Sequence, residues 1–156
     1  MANAVIDQSV LPGGVTVFQR GWLSSNNVLL VGSHGTALVD SGYAIHAEQT
    51  SALVTSALGD RRPLDFLLNT HLHSDHCGGN AILQRRFPVM QTLIPPGHAE
   101  QVRNWDAVAL TYVPTGQVCE RFSFTGLLKP GSELPLGDQI WQVHAAPGHD
   151  LSLIHI

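Results

Sequence analysis

The chain has 156 residues, of which 44% are hydrophobic and 13% are charged, enough length and apolar content for one domain with a substantial core. Its formal net charge of −4 offers no basic stripe for nucleic acid and no polybasic anchor for a membrane surface. No window approaches the roughly 18 consecutive apolar residues of a membrane span. Residues 1–14 lack the basic and apolar segments of a secretory signal, so we expect a cytoplasmic protein.

The first half of the chain predicts strands, then a helix, then a further strand. Residues 15–20, 27–31 and 36–39 are short apolar or β-branched runs separated by glycines, and they predict an antiparallel meander. Residues 44–58 place apolar side chains on roughly one helical face, and the glycine that follows is positioned to end the helix. Residues 64–68 predict a buried strand that leads into a histidine-rich segment.

Beyond the histidine-rich segment the pattern predicts alternating helices and strands. Residues 80–87 are predicted to be helical, 89–93 to form a strand and 98–110 to form a helix near the site. Residues 111–135 are rich in Gly, Pro and Thr and connect to a predicted strand at 139–145.

The histidine-rich segment, residues 71–79, reads HLHSDHCGG and places four potential metal ligands within six positions. Alternate side chains of an extended segment point the same way. We therefore expect His71 and His73 to hold one metal ion, Asp75 to continue along that side and His76 to turn away. This spacing suits two adjacent ions, and imidazole with carboxylate suits zinc or iron.

Two features flank these ligands. Gly78 and Gly79 are expected to permit backbone turns that let a helix begin close to the ions. Residues 147–150, with the sequence PGHD, supply a histidine after a predicted strand, and we expect His149 to be the third protein ligand of the first ion. Cys77 lies within the segment and is interpreted as a nearby side chain that does not bind metal.

Thr70–His76 and the later Gly148-His149 resemble the T-H-x-H-x-D-H motif and the G-H turn of the metallo-beta-lactamase superfamily. The resemblance covers about residues 15–150 and includes ALVDSG at 37–42, similar to the family's strand that ends in an aspartate and a glycine beneath the metal loop. It implies that Asp40 braces the loop without binding metal; an ordinary strand-ending turn is the alternative. The implied fold is α/β (α+β), an αββα sandwich of two mixed sheets with helices outside.

The resemblance implies metal-assisted hydrolysis of a small-molecule substrate. One or two Zn²⁺ ions, with iron or manganese as alternatives, would make hydroxide available for attack on an ester, thioester, lactone, lactam or phosphoester. Asp75 would also orient the nucleophile and shuttle its proton. An iron-dependent oxidoreductase of the same fold, similar to sulfur dioxygenases, is the alternative. The oligomeric state is not predicted.

We expect residues 1–150 to be one domain that covers the first half to two-thirds of the sandwich, with a bridging ligand and a last histidine beyond Asp150. On this view the literal chain is an inactive fragment. Residues 151–156, LSLIHI, read as the translation of a transposon-derived adapter, so His155 is not counted as a ligand. A genuine strand is the alternative, because the segment is apolar and partly alternating.

The remaining histidines, His34, His46, His98 and His144, are interpreted as surface or packing residues. The aromatic residues within 111–135 either border a substrate pocket, as the resemblance implies, or only pack a connecting strand. No G-x-S-x-G elbow, Walker loop or G-x-G-x-x-G fingerprint is present, which argues against a serine hydrolase or a nucleotide-binding protein.

Overall fold

A computed structural model describes residues 7–150 and 154–156 of the chain. Strands β1 (Val15–Phe18), β2 (Asn27–Gly32) and β3 (Gly35–Val39) pair antiparallel in sequence order. Helix α1 (Ala47–Leu58) follows a short 3-10 turn and stops at Gly59, whose φ of 70° favours glycine. The predicted meander and first helix are therefore confirmed.

The middle of the chain alternates between helices and strands. Its elements are β4 (Phe66–Leu68), α2 (Ser74–Cys77), α3 (Asn80–Arg86), β5 (Gln91–Ile94) and α4 (Ala99–Asn104). The helix predicted over 98–110 is thus shorter than expected. It ends because the next residue, Trp105, has a left-handed backbone with φ 54° and ψ 53°, a conformation that interrupts a right-handed helix.

The last described elements are short strands. They are β6 (Gly126–Leu127), β7 (Glu133–Leu136), β8 (Gln139–Gln142), β9 (His144–Ala145) and β10 (Ile154–His155). The strand predicted over 139–145 is divided between β8, which pairs with β7 in a hairpin, and β9, which pairs with β10.

The main sheet has the order β1-β2-β3-β4-β5-β6 and is mixed, because β3 to β6 run parallel while β1 to β3 are antiparallel. Successive residues of a strand face opposite sides, and each side has its own core. One side packs against α1 and α3 and includes Leu29, Leu38, Val54, Leu67 and Leu83. The other packs against the β7–β8 hairpin and includes Leu30, Ala37, Leu68, Leu136 and Val143.

The parallel pairing of β3 with β4 positions the histidine-rich segment. Val39 is opposite Leu68 in the register, so the residues that follow the two strands meet at one edge of the sheet. In open sheets with parallel strands this edge commonly carries the ligand-binding groups. Asp40 and Thr70 are brought together here.

Residues 154–156 lie against the same edge. Ile154 is buried, and its backbone N–H donates to the carbonyl of Thr70 at 2.8 Å. The expectation that residues 151–156 are a non-native addition stays a prediction, and residues 151–153 lie outside the described residues. Within the described parts of the chain, every helix is too short or too polar to cross a lipid bilayer.

Candidate metal centre

Three imidazoles converge at the carboxyl end of β4. Nδ1 of His73 lies 3.1 Å from Nε2 of His71 and 3.0 Å from Nε2 of His149. The three nitrogens all lie within 4.8 Å of one another. The structure thus brings together two histidines of the predicted loop with the histidine of the later G-H turn.

The local backbone explains how the first two histidines converge. His73 has an extended conformation, with φ −64° and ψ 146°, so the side chains of His71 and His73 lie on one side while Leu72 is buried in the core on the other. The extended segment ends there. Helix α2 begins at Ser74, so the expectation that Asp75 continues along the extended side was wrong.

Hydrogen-bonding partners outside the cluster favour the imidazole tautomers of His71 and His73 in which the unprotonated ring nitrogen faces the cluster. Nδ1 of His71 lies 3.2 Å from the hydroxyl oxygen of Thr70, and that hydroxyl donates to Asp40. The hydroxyl oxygen can therefore accept from Nδ1 of His71, which leaves Nε2 as the unprotonated nitrogen. Nε2 of His73 faces the carboxylate of Asp150 at 3.5 Å, which leaves Nδ1 of that ring directed at the cluster.

The charge states also suit a cation. Burial and the nearby imidazoles of His76 and His73 lower the pKa of His71 to about 4. Burial is also the main reason that the pKa of His73 is lowered. Neutral imidazole is the metal-binding form, so both side chains are in that form at neutral pH.

The spacing and the donor types fit one metal ion. Two ligands at about 2.0–2.1 Å from a tetrahedral zinc lie about 3.3 Å apart, close to the 3.0 Å and 3.1 Å separations of the histidine nitrogens. Neutral imidazoles in this number are a common zinc-binding set, and imidazole also suits iron. His71, His73 and His149 could therefore hold an ion.

His76 and Asp75 form a second, adjacent pair. Nε2 of His76 lies 3.5 Å from a carboxylate oxygen of Asp75, and the ring of His76 is centred 4.0 Å from that of His71. Nδ1 of His76 donates to Asp40 at 2.7 Å, which directs the other ring nitrogen toward Asp75. Burial lowers the pKa of His76, but the hydrogen bond and charge of Asp40, with the charge of Asp75, outweigh burial and raise that pKa overall.

Asp40 links both halves of the cluster. Its carboxylate accepts from the backbone N–H of Thr70 at 2.9 Å, from the Thr70 hydroxyl at 2.8 Å and from His76 at 2.7 Å. The side chain is buried and its backbone φ is 59°, a left-handed conformation that aspartate tolerates better than most residues. These contacts place the Asp40 carboxylate between Thr70 and His76; its bracing role stays a prediction.

A buried amide and hydroxyl network fixes the backbone of α2. The carbonyl of His76 accepts from the backbone N–H of Ser41 at 2.7 Å and from the side-chain amide of Asn69 at 3.2 Å. The Ser41 hydroxyl donates to Asn80 at 2.7 Å, and the amide of Asn80 donates to Asn69 at 2.7 Å. Sequence reasoning did not identify these residues, whose only signal is their polarity next to predicted strand and helix ends.

The two glycines after α2 are required for a structural reason that differs from the one expected. Gly78 and Gly79 both have helical dihedral angles, with φ of −62° and −89°, which any residue can adopt. A Cβ atom on Gly78 would lie 2.3 Å from the backbone nitrogen of Ala44, and one on Gly79 would lie 2.6 Å from the carbonyl oxygen of Ser41. Close backbone packing, and not turn formation, requires glycine here.

A cavity of about 220 Å³ opens beside His73. His98, interpreted from the sequence as a surface or packing residue, lines it together with Leu110, Thr111 and Asp150. Asp150 was also missed as a site residue, although it directly follows the histidine of the G-H turn. His34 and His144 are exposed and His46 is half-buried; none of these three belongs to the three-histidine cluster.

Two phenylalanines of 111–135, Phe122 and Phe124, contact the core beside α2. Phe122 is buried in the core beside α2 and packs edge-to-face on Trp105, with ring centroids 5.4 Å apart. This contact supports the packing interpretation for Phe122. Phe124 packs against the same core and is only partly buried.

Comparison with known proteins agrees with the geometry. A family model described as the metallo-beta-lactamase superfamily matches residues 20–156. A hydroxyacylglutathione hydrolase of Yersinia enterocolitica is 34% identical over 117 residues, which cover 75% of this chain and 36% of that protein.

Solved structures share the fold. A metallo-beta-lactamase of Cronobacter sakazakii, a mutant of its HARLDQ motif, matches with a TM-score of 0.72 and 24% identity over 90% of this chain and 54% of its own. The FEZ-1 metallo-beta-lactamase of Legionella gormanii matches with a TM-score of 0.70 and 17% identity over 83% of this chain and 49% of its own. The chain thus spans about half the length of these structures and about a third of the Yersinia relative. With the family model matching most of its residues, the chain belongs to the metallo-beta-lactamase superfamily.

Proposed function

We propose that these residues supply the first metal site of a metal-dependent hydrolase, with His71, His73 and His149 as ligands. The convergence of three imidazole nitrogens within 4.8 Å carries the proposal. Asp75 and His76 are proposed as ligands of an adjacent second ion. Because the chain spans about half of the matched structures, the activity is proposed for a domain of their full length.

Zn²⁺ is the proposed ion; His71, His73 and His149 would hold it, and it would make hydroxide available at neutral pH. The chain's own residues would position this nucleophile and take up the proton that the water loses. Asp75 is half-exposed at the start of α2, where its carboxylate can accept a proton and return it to a leaving group. Asp40 and Asp150 are proposed to hold His76 and His73 in orientation, since outer carboxylate partners fix ligand tautomers.

A thioester is the substrate class we propose first. The relative from Yersinia enterocolitica is named as a hydroxyacylglutathione hydrolase, a name that denotes cleavage of an acyl group from glutathione sulfur. The cavity beside His73 offers polar groups from His98, Thr111 and Asp150 near the proposed metal. Lactones, β-lactams and phosphoesters are the other classes to compare. Cytoplasmic location and a small-molecule partner stay predictions from the sequence.

The test uses protein expressed from the complete gene, purified with its metal content measured. We expect bound zinc and hydrolysis of an S-2-hydroxyacyl glutathione thioester under nitrogen. Two variants provide a matched comparison: His149→Ala should abolish turnover, whereas His144→Ala, which changes an exposed histidine of β9, should retain it.

Two results would contradict the proposal. Iron as the bound metal, with oxygen consumption and no hydrolysis, would favour the iron-dependent oxidoreductase. Fully metal-loaded protein that cleaves no member of a panel of thioester, lactone, β-lactam and phosphoester would reject a hydrolase with these substrates. Cleavage of a panel substrate other than the thioester would support the proposed hydrolase and change only its proposed substrate class.

A further inference from the structure

A pair of thiols lies outside the three-histidine cluster, with Cys77 at the end of α2 within the histidine-rich segment and Cys119 in a distant part of the sequence. Cys77 and Cys119 are 42 positions apart in sequence, yet their sulfur atoms are 3.9 Å apart. Both are free thiols; Cys77 is fully buried, whereas Cys119 is partly exposed. Nothing in the proposed hydrolytic site uses either sulfur.

Cys77 is held firmly at the end of α2. Its sulfur lies 3.1 Å from the hydroxyl oxygen of Tyr112 and 3.3 Å from the carbonyl oxygen of His73. The next residue, Gly78, is packed so closely against Ala44 that no Cβ atom fits between them. The position of the Cys77 sulfur is therefore set by a tightly packed part of the fold.

Cys119 lies in an irregular segment, residues 117–120, that crosses α2. Gln117 accepts a hydrogen bond from the hydroxyl of Ser74, and the backbone N–H of Val118 donates to the Tyr43 hydroxyl at 3.2 Å. The segment belongs to no helix or strand. It can consequently shift by small amounts without breaking a helix or a sheet ladder.

We propose that Cys77 and Cys119 form a reversible disulfide, a redox-sensitive modification site that joins the histidine-rich segment to segment 117–120. The sulfur atoms must close from 3.9 Å to the S–S bond length of about 2.05 Å. Because α2 is fixed by its glycine packing, segment 117–120 makes most of this movement. The disulfide closes a long loop, which restricts the unfolded chain.

A low-molecular-weight disulfide such as glutathione disulfide supplies the oxidising equivalents. The Cys119 thiolate attacks one sulfur of the reagent, forming a mixed disulfide and releasing one glutathione thiolate. The Cys77 sulfur then attacks the Cys119 sulfur; the protein disulfide forms and the second glutathione leaves. The two cysteines lose two electrons, the reagent gains them, and the two thiol protons pass to the released glutathione molecules.

Exposure determines the order of these steps. A reagent in solution can reach the partly exposed Cys119, whereas the buried Cys77 meets only its protein neighbours. The hydrogen bond with the Cys77 thiol also lowers the pKa of Cys119, which increases its thiolate fraction. Cys119 is therefore the first cysteine to react, and Cys77 resolves the mixed disulfide.

The experiment incubates the 156-residue chain, with a chelator present to remove metal, in glutathione buffers of increasing oxidised fraction. Remaining thiols are blocked with N-ethylmaleimide, and peptides are analysed by mass spectrometry without reduction. We expect both thiols to disappear together, a peptide pair linked through Cys77 and Cys119, and full reversal by dithiothreitol. The oxidised monomer should also unfold at a higher temperature than the reduced one.

The single-cysteine variants separate the steps. Cys77→Ser should accumulate a glutathione adduct on Cys119, and Cys119→Ser should leave Cys77 unmodified in the folded state. Should Cys77→Ser fail to fold, the peptide map of the unsubstituted chain decides the question. A glutathione adduct that persists on Cys119 beside a free Cys77 thiol would overturn the proposal. So would a disulfide between two copies of the chain, or two reduced thiols in fully oxidised buffer.

Discussion

The carboxylate of Asp40 accepts a hydrogen bond from Nδ1 of His76 at 2.7 Å, although the two residues are 36 positions apart. The contact exists because β3 and β4 are parallel neighbours and the chain segments after them meet at one sheet edge. The same carboxylate accepts two hydrogen bonds from Thr70. One buried acid therefore ties the end of β3 to Thr70, just before the histidine-rich segment, and to His76 within it.

Replacement of Asp40 by asparagine should destabilise the metal-free chain. An amide can accept through only one of its two terminal atoms, so at least one of the three hydrogen bonds to this buried position is lost. Leaving a buried donor unsatisfied costs about 1–3 kcal/mol. Denaturant unfolding measures the change. The control, Asp138→Asn, alters an exposed carboxylate that accepts from Ser33, and an effect there as large as at Asp40 would contradict the bracing role.

Replacement of His149 by alanine should weaken binding of the ion that the three histidines hold. Loss of an outer hydrogen-bonding partner lowers metal affinity by about 10–100-fold. Loss of a direct ligand should lower the affinity by more than that. Competition with a chromophoric chelator measures zinc affinity. His144→Ala provides the matched control, because its exposed imidazole lies outside the cluster. Equal zinc affinity in both variants would remove His149 from the ligand set.

Acidification should weaken the metal-free fold through His71. Its pKa falls from 6.5 to about 4 in the folded protein, so between these values the unfolded chain binds more protons and stability decreases as pH decreases. The shift corresponds to at most ~3 kcal/mol. His76 acts in the opposite sense, because its pKa is raised from 6.5; its stabilisation is fully present below 6.5 and is lost as pH rises from there through the raised pKa.

The contribution of His71 is isolated by comparing the unsubstituted chain with His71→Asn in chelator. The free energy of unfolding of the unsubstituted chain should fall relative to the variant from about pH 6.5 to about pH 4. Parallel pH profiles for the two proteins would show that His71 titrates alike in the folded and unfolded states.

Replacement of Gly78 by alanine, which adds one methyl group, should lower the free energy of unfolding. The new Cβ atom would lie 2.3 Å from the backbone nitrogen of Ala44, and overpacking of this kind costs about 1–3 kcal/mol. Gly13→Ala is the control, since a Cβ atom there meets nothing within 4 Å. Tryptophan fluorescence during urea unfolding gives both values. Similar stability of the Gly78→Ala and Gly13→Ala proteins would refute the close-packing explanation.

Local sequence patterns were sufficient to predict much of the fold and to select the proposed ligands. The antiparallel meander and α1 follow from residue periodicity, and the histidine motif indicated the residues that converge. His149 could be connected to them only through a motif with known spacing. The end of α4 at Asn104 was missed because it depends on the left-handed backbone of Trp105, which no periodicity indicates.

Contacts between distant segments could not be predicted from the sequence. The approach of Cys119 to Cys77 depends on how segment 117–120 crosses α2, and that path is set by the tertiary contacts of Gln117 and Val118. The glycines after α2 likewise appeared suited to turns, because the backbone of residues 41–44 that they contact is remote in sequence. Packing between elements, and not local preference, decided both features.

X-ray absorption at the zinc edge of the zinc-loaded chain tests the proposed metal site most directly. We predict three imidazole nitrogens at about 2.0–2.1 Å from zinc and the loss of one of them in His149→Ala. A sulfur neighbour at about 2.3 Å would place the metal on Cys77 or Cys119 instead. A zinc environment with sulfur, or one unchanged in the variant, would contradict the assignment of His71, His73 and His149.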